Sequence, residues 1–193
     1  MSAVPATKLM SLAEYLQMEE TAVEKSEYYK GEVFGMSGGS IAHNTISTNT
    51  TALLWNFLRD KPCRVFNSDQ KVRIEANSLI TYPDVSVLCG EPELWNNRTD
   101  MILNPSVIIE VLSPSTAGYD QGDKFKLYRD IPPLKEYILI ASTEQMVQRY
   151  VKQAPHHWAF SDTRDAEGLF QVETIGFSCP VKELYRNVDF QQQ

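Results

Sequence analysis

The pattern of apolar and polar positions along the chain predicts short strands separated by a few amphipathic helices. Residues 107–112 read Val-Ile-Ile-Glu-Val-Leu, a β-branched apolar run between Pro105 and Pro114 that is typical of a buried strand. A second apolar run at residues 136–141 predicts another strand of this kind. Further strands are expected at residues 64–66, 71–75 and 84–88, followed by a meander near residues 145–152, 156–160 and 169–173.

Capping signals and apolar residues at helical spacing predict three helices. Ser11 and Glu14 have the spacing of a capping box, which places a first helix at about residues 12–19. A long amphipathic helix is expected over about residues 41–59. A third helix near residues 119–129 is ended by a Pro-Pro pair.

Length and composition are those of one folded domain. The chain has 193 residues, of which 42% are apolar, so residues 1–193 are expected to form a single mixed α/β domain. No apolar run approaches the roughly 20 residues that a membrane-spanning helix needs, and the polar N-terminus predicts no secretory signal. Cys63, Cys89 and Cys179 are odd in number and widely spaced, which predicts reduced thiols in a cytoplasmic protein.

The net charge of −7 bears on nucleic-acid binding. A surface-wide footprint for nucleic acid is normally basic, so 25 acidic residues against 18 basic ones argue against one. Net charge reports long-range attraction, however, and not the chemistry of a single groove. A nuclease that gathers carboxylates around a metal ion also begins with an acidic bias, so that class stays open.

Glu110 is a charged residue in the middle of the apolar run at residues 107–112, on the strand face that Ile108 and Leu112 share. Transfer of an unpaired carboxylate out of water costs several kcal/mol. Glu110 is therefore expected to be protonated, ion-paired or bound to a metal ion. Two of these three states are typical of a functional site.

Asp84 is a second carboxylate at the start of a predicted strand, directly after Pro83. If the two strands are neighbours, Asp84 and Glu110 meet. Mg²⁺ prefers one or two carboxylates together with water and phosphate oxygens. Such an ion would polarise a phosphodiester and lower the pKa of an attacking water.

The helix after the Glu110 strand supplies a lysine. Asp120, Lys124 and Tyr128 recur every four residues and so lie on one stripe of the helix. Lys124 is the candidate that would orient the water and stabilise charge in the transition state, whereas Lys126 points elsewhere.

In their order along the chain, these motifs resemble the putative restriction endonuclease ("Uma") family of the PD-(D/E)XK nuclease-like superfamily. The resemblance covers about residues 10–185, and the ordered set of motifs is fairly specific. It is carried by Pro83-Asp84, Glu110-Val-Leu-Ser-Pro-Ser-Thr116, the spacing of Asp120, Lys124 and Tyr128, and Glu136-Tyr137, with Glu27, Gly31 and His43-Asn44 upstream.

The resemblance implies a restriction-endonuclease-like core, a mixed sheet of four to five strands flanked by helices. It also implies an endodeoxyribonuclease that hydrolyses DNA phosphodiester bonds with Mg²⁺ or Mn²⁺, and by analogy a homodimer. Asp84 and Glu110 would bind the metal, Lys124 would be the catalytic lysine, and Glu27 an accessory acid. The superfamily motif places a lysine two residues after the second acid, where this chain has Leu112, so Lys124 would substitute for it.

A non-catalytic interpretation of the same residues stays open. Leu112 and the acidic charge favour a binding or interaction module on the nuclease fold, in which the acids and Lys124 form a buried structural network. Asp120 is expected to be an N-cap or helix-dipole residue, and His43 to cap or pack at a helix start. Three basic residues are expected on neighbouring strands, either in contact with phosphates or on a solvated face: Arg64, Lys71 and Arg73.

Overall fold

The structure, a computed structural model, describes residues 9–190, and its helices begin where the capping residues predict. α1 spans Leu12–Glu19, and the side chains of Ser11 and Glu14 each accept from the other's backbone N–H. α2 spans Ile41–Leu58, and the third helix has three continuous parts: α3 (Ala117–Tyr119), a π-helical turn (Asp120–Lys124) and α4 (Phe125–Tyr128). Short 3₁₀ turns lie at Trp95–Asn97, Glu173–Ile175 and Val181–Glu183. None of the helices within residues 9–190 has both the length and the apolar character needed to cross a bilayer.

Six strands form what we call the large sheet. In spatial order they are β11 (His157–Thr163), β10 (Val147–Ala154), β9 (Glu136–Ala141), β8 (Val107–Leu112), β6 (Val85–Cys89) and β3 (Cys63–Asn67). β8 and β9 run parallel, and the other neighbouring pairs are antiparallel. Every residue of β8 and β9 is buried, because both faces of the sheet are covered at its centre. This double burial explains their continuous apolar runs.

Five shorter strands form what we call the small sheet. In spatial order they are β2 (Glu32–Gly35), β1 (Ser26–Tyr29), β5 (Leu79–Thr81), β4 (Lys71–Ile74) and β7 (Met101–Ile102). β1 and β2 form the predicted hairpin, and Gly31 has a φ of 96° in its turn. A separate hairpin joins β12 (Leu169–Val172) to β13 (Phe177–Pro180).

The two sheets and the helices enclose three apolar layers. α2 and the C-terminal segments pack on one face of the large sheet, through residues such as Ile46, Leu54 and Ile109. The other face packs against the small sheet and α4. α1 covers the far side of the small sheet through Tyr15. Since Glu110 lies on the same strand face as Ile108, its carboxylate is directed between the two sheets.

The mixed α/β class predicted from the sequence is confirmed, with differences in detail. The large sheet has six strands, and not four to five. The segment at residues 169–173 does not continue the meander, because it turns away from β11 and pairs with β13. β5, β7 and β13 were not predicted, because they have only two to four residues each and therefore show no usable periodicity.

The cysteines differ from the prediction. Cys63 and Cys89 are direct cross-strand neighbours on β3 and β6, with Cα atoms 4.0 Å apart, and they form a disulfide. The prediction of three reduced thiols is therefore wrong for this pair and holds for Cys179. The two cysteines are 26 positions apart in the sequence, and only the antiparallel register of β3 and β6 brings them together. Their spacing alone therefore did not reveal the contact.

Candidate active site

Two carboxylates meet where β6 begins and β8 approaches its end. The register pairs Val85 with Ile109, so Asp84 and Glu110 are opposite each other one step further along. The Asp84 backbone N–H donates to Glu110 Oε2 at 3.2 Å, and the Val111 N–H donates to Asp84 Oδ2 at 2.8 Å. Each strand therefore fixes the carboxylate carried by the other. The two strands are thus neighbours, which is the condition under which the sequence brings Asp84 and Glu110 together.

Lys124 lies over this pair and connects three acids. Its Nζ is 2.9 Å from Glu110 Oε1, 3.2 Å from Glu27 Oε1 and 3.6 Å from Asp120 Oδ1. Lys124 is 7% exposed and Glu110 4% exposed, so these charges are withdrawn from water. We call the set of Glu27, Asp84, Glu110, Asp120 and Lys124 the acid–lysine cluster.

Two hydroxyl groups complete the hydrogen bonding of the cluster. The Tyr128 hydroxyl donates to Glu110 Oε1 at 2.7 Å from the helix, four residues beyond Lys124. The Thr81 hydroxyl donates to Glu27 from β5. Both side chains are fully buried, and they hold Glu110 from the helix and Glu27 from the small sheet.

Burial and mutual repulsion perturb the protonation of the cluster. Burial raises the pKa of Glu110 to about 7; the Lys124 charge opposes the rise, and Asp84 and Asp120 add to it. Burial also raises the pKa of Asp120. Burial alone would lower the pKa of Lys124, but the surrounding acids, Glu110 foremost, raise it well above its ordinary value. At neutral pH the cluster thus holds a charged lysine and a carboxyl close to its titration point, a combination typical of functional sites.

His43 contacts the cluster from the first turn of α2. Its Nε2 is 3.1 Å from Asp84 Oδ1, and its buried Nδ1 has no hydrogen-bond partner among the described residues. Burial lowers the pKa of His43, but the hydrogen bond to Asp84 and the charges of Asp84 and Glu110 together outweigh burial and leave the pKa raised. The expected cap of α2 is supplied by Ser40 instead, whose hydroxyl accepts from the His43 backbone N–H.

The cluster forms the floor of a cleft of about 870 Å³. One wall is the β2 strand and the loop at residues 37–40, and the opposite wall is the loop at residues 113–116 with the start of the third helix. Glu27, Asp84, Glu110, Asp120, Lys124 and His43 all line this cleft. A substrate that entered it would meet the carboxylates directly.

The donor set of the cleft fits a divalent cation with oxygen ligands. Lys124 pairs with three carboxylates, and Asp84 lies beside them, so the cluster has more acidic than basic groups and a cation would offset the difference. Within residues 9–190 no three side chains of His, Cys, Asp or Glu are arranged as a metal-binding group. A cation at Asp84 and Glu110 would therefore need water or phosphate oxygens as its further ligands, which is the coordination that Mg²⁺ prefers.

The structure corrects several sequence expectations around the site. Asp120 is not an N-cap, because the helix begins at Ala117 and the Asp120 side chain is buried against Lys124. Tyr128 has the expected supporting role, and Lys126 points outward as expected, 2.8 Å from Asp123. The basic residues expected on neighbouring strands lie on different sheets, Arg64 on the large one and Lys71 and Arg73 on the small one.

Two contacts of the site were missed by sequence reasoning. Thr81 lies on the unpredicted strand β5 and left no signal in the sequence. The contact between His43 and Asp84 joins residues 41 positions apart. The only signal for it was the place of His43 among the ordered motifs.

The fold of this chain is shared with a solved structure. A crystal structure described as a putative nuclease belonging to DUF820, from Anabaena variabilis, superposes with a TM-score of 0.75 at 20% identity. The match covers 92% of this chain and 98% of the other. At this level of identity the likeness shows a shared fold.

Family membership follows from the sequence comparisons. The model of the family described as "Putative restriction endonuclease" matches residues 12–182, and the chain belongs to that family. The chain is also 38% identical to an uncharacterized protein of Synechocystis sp. over 181 residues, with 94% of each chain covered. A second uncharacterized Synechocystis protein is 40% identical over 162 residues, or 84% of this chain and 92% of that protein. Membership and fold together support a nuclease.

Proposed function

We propose that the protein is an endodeoxyribonuclease that hydrolyses DNA phosphodiester bonds with Mg²⁺ or Mn²⁺. The observation that carries this proposal is the acid–lysine cluster at the floor of an open cleft. Asp84 and Glu110 are held side by side on rigid strands, and Lys124 is 2.9 Å from the second of them.

Different residues would bind the metal ion and stabilise the charge that develops on the phosphate. Asp84 and Glu110 would hold the cation, which when bound polarises the phosphodiester and lowers the pKa of a water. Lys124 would donate hydrogen bonds to the attacking water and to the phosphate oxygen that gains charge. Glu27 would keep Lys124 directed into the cleft, and Tyr128 would keep Glu110 oriented.

Cleavage of supercoiled plasmid by the purified full chain with Mg²⁺ or Mn²⁺ tests the proposal. Asp84→Asn and Glu110→Gln should abolish both cutting and metal binding in calorimetry. Asp162→Asn is a matched control, because this half-exposed acid on β11 lies outside the cleft. Cutting that persists in both site variants would point to a contaminating nuclease and contradict the proposal.

The structure also favours a second candidate, a non-catalytic binding module. Its support is that Lys124 is buried and paired with three carboxylates, as in a structural network. In that case Glu110→Gln would destabilise the protein, and neither Mg²⁺ nor Mn²⁺ would bind to the wild type. Metal binding that depends on Glu110 separates the two candidates.

A homodimer and a cytoplasmic location complete the proposal. β11 is an edge of the large sheet with Phe160 53% exposed, a surface on which a second copy would pair. Light scattering after gel filtration tests the dimer, and a monomer at micromolar concentration contradicts it. Cell fractionation tests the cytoplasmic location. The disulfide of Cys63 and Cys89 argues against that location, because disulfides are rare in reducing compartments.

A further inference from the structure

Two aromatic rings stand at the mouth of the cleft above the acidic floor. Phe34 on β2 is the direct cross-strand partner of Glu27 on β1, so the two side chains share one face of the small sheet. Tyr119 is the last residue of α3, next to Asp120, on the wall formed by the start of the third helix. Phe34 is 49% exposed and Tyr119 is 41% exposed, and both line the cleft.

The environment of Tyr119 shows how close it lies to the cluster. Burial raises the pKa of its phenol to about 12, and the charge of Glu27 adds to the rise. The ring therefore lies within electrostatic reach of the cluster while half of its surface faces solvent. Phe34 and Tyr119 thus present two solvent-accessible rings to whatever occupies the cleft.

Free positive charge is scarce along the cleft. Of the described residues that line it, the lysines are Lys124 and Lys126, and arginine is absent. Lys124 is buried among carboxylates, and Lys126 is paired with Asp123 at 2.8 Å. A protein that grips duplex DNA by its backbone makes on the order of 6–10 phosphate contacts with basic side chains. The walls of this cleft supply two lysines, too few for that mode of binding, so contacts of another kind must add to the affinity.

We propose that the cleft takes an unpaired DNA strand, with the nucleobases beside the scissile phosphate stacked on Phe34 and Tyr119. This inference rests on the proposed nuclease function and names its substrate class. Stacking on aromatic rings is available only to bases outside a duplex, and it tolerates any sequence, because every base has a π-face. Flaps, frayed ends and single strands would then be preferred to uninterrupted duplex.

Fluorescence anisotropy with the full chain tests the preference. The probe is a fluorescein-labelled single strand of about 12 nucleotides, alone or annealed to its complement. The buffer contains Ca²⁺, which takes the same oxygen ligands as Mg²⁺, and recovery of intact strand on a gel verifies that only binding is measured. The single strand should bind about tenfold tighter than the duplex. Phe34→Ala and Tyr119→Ala should each weaken single-strand binding about tenfold and leave duplex binding unchanged.

Matched variants separate stacking from general damage. Trp55→Ala removes a similarly exposed ring on α2 outside the cleft and should bind like the wild type. Tyr119→Phe keeps the ring without the hydroxyl and should also retain affinity. Equal affinity for single strand and duplex, or loss of affinity in Trp55→Ala as large as in Phe34→Ala, would overturn the inference.

The binding assay and the cleavage assay test the two proposals separately. If the protein binds single strands through Phe34 but cuts no DNA, the nuclease proposal fails and the substrate class stands. If it cuts DNA with Mg²⁺ but binds duplex at least as tightly as single strands, the nuclease proposal stands and the inference of an unpaired strand is overturned.

Discussion

Replacement of Glu110 by glutamine should change how the stability of the protein depends on pH. The folded protein holds the Glu110 proton up to a pKa of about 7, against an ordinary value of 4.5. Between these values the folded state keeps a proton that the unfolded state has lost. The contribution of Glu110 to the free energy of unfolding therefore falls as the pH rises from 4.5 through about 7.

The size of the effect follows from the two pKa values. The difference between 4.5 and about 7, at about 1.4 kcal/mol per pH unit, is roughly 3 kcal/mol. Glutamine does not titrate in this range. The free energy of unfolding of the variant, relative to that of the wild type, should therefore rise by about this much between acidic pH and pH above neutral. A constant loss of about 1–3 kcal/mol is expected in addition, because the amide N–H₂ replaces one oxygen that accepts a hydrogen bond.

Urea denaturation in EDTA, followed by tryptophan fluorescence at several pH values between about 5 and about 8, measures the difference between the two proteins. In excess Mg²⁺ the slope of the wild type should become shallower, because a cation favours the ionised carboxylate, and the variant should not respond. A difference that stays constant with pH, or that moves against the variant as the pH rises, would refute the explanation based on burial.

Three further predictions concern the surroundings of Glu110. Lys124→Met should abolish cutting and lower the free energy of unfolding by about 3–5 kcal/mol in urea denaturation at slightly alkaline pH, because buried carboxylates lose their partner. Lys126→Met, on the exposed side, should change it by no more than about 0.5 kcal/mol. Equal losses in the two variants would contradict a buried charge network. His43→Ala should weaken Mn²⁺ binding in calorimetry, because Asp84 then keeps only the Val111 N–H of its two partners, whereas His43→Asn should retain part of the affinity. Unchanged affinity in both variants would contradict an orienting role. Cys63→Ser should lower the free energy of unfolding by about 3 kcal/mol relative to the oxidised wild type. Under fully reducing conditions the variant and the wild type should be equally stable. A difference that persists after reduction would contradict the role of the disulfide.

The parts of the site that the sequence predicted are those that local pattern exposes. Glu110 was found because a charge in a continuous apolar run is costly, and Lys124 because helical spacing aligns it with Tyr128. Asp84 was found because it begins an apolar strand after a proline. In each case the signal lies within a few residues of the side chain concerned.

The parts that the sequence missed depend on how distant segments meet. Thr81 lies on a strand of three residues, too short for a pattern, and contacts Glu27 across 54 positions. The disulfide of Cys63 and Cys89 depends on strand register, which the spacing of cysteines does not encode. Asp120 was misassigned because the acidic residue seemed to begin the helix, whereas the helix starts one turn earlier.

The π-helical turn at residues 120–124 sets the rotation of Tyr119 relative to Lys124 and Tyr128. Such a turn corresponds to one inserted residue, and one residue of α-helix is a rotation of about 100°. Deletion of Gly122 would therefore turn Tyr119 and Asp120 away from Lys124, while Lys124 and Tyr128 kept their contacts with Glu110. A change of one residue in length would thus alter both what the mouth of the cleft presents and one acid of the cluster, and leave the contacts of Glu110 with Lys124 and Tyr128 in place.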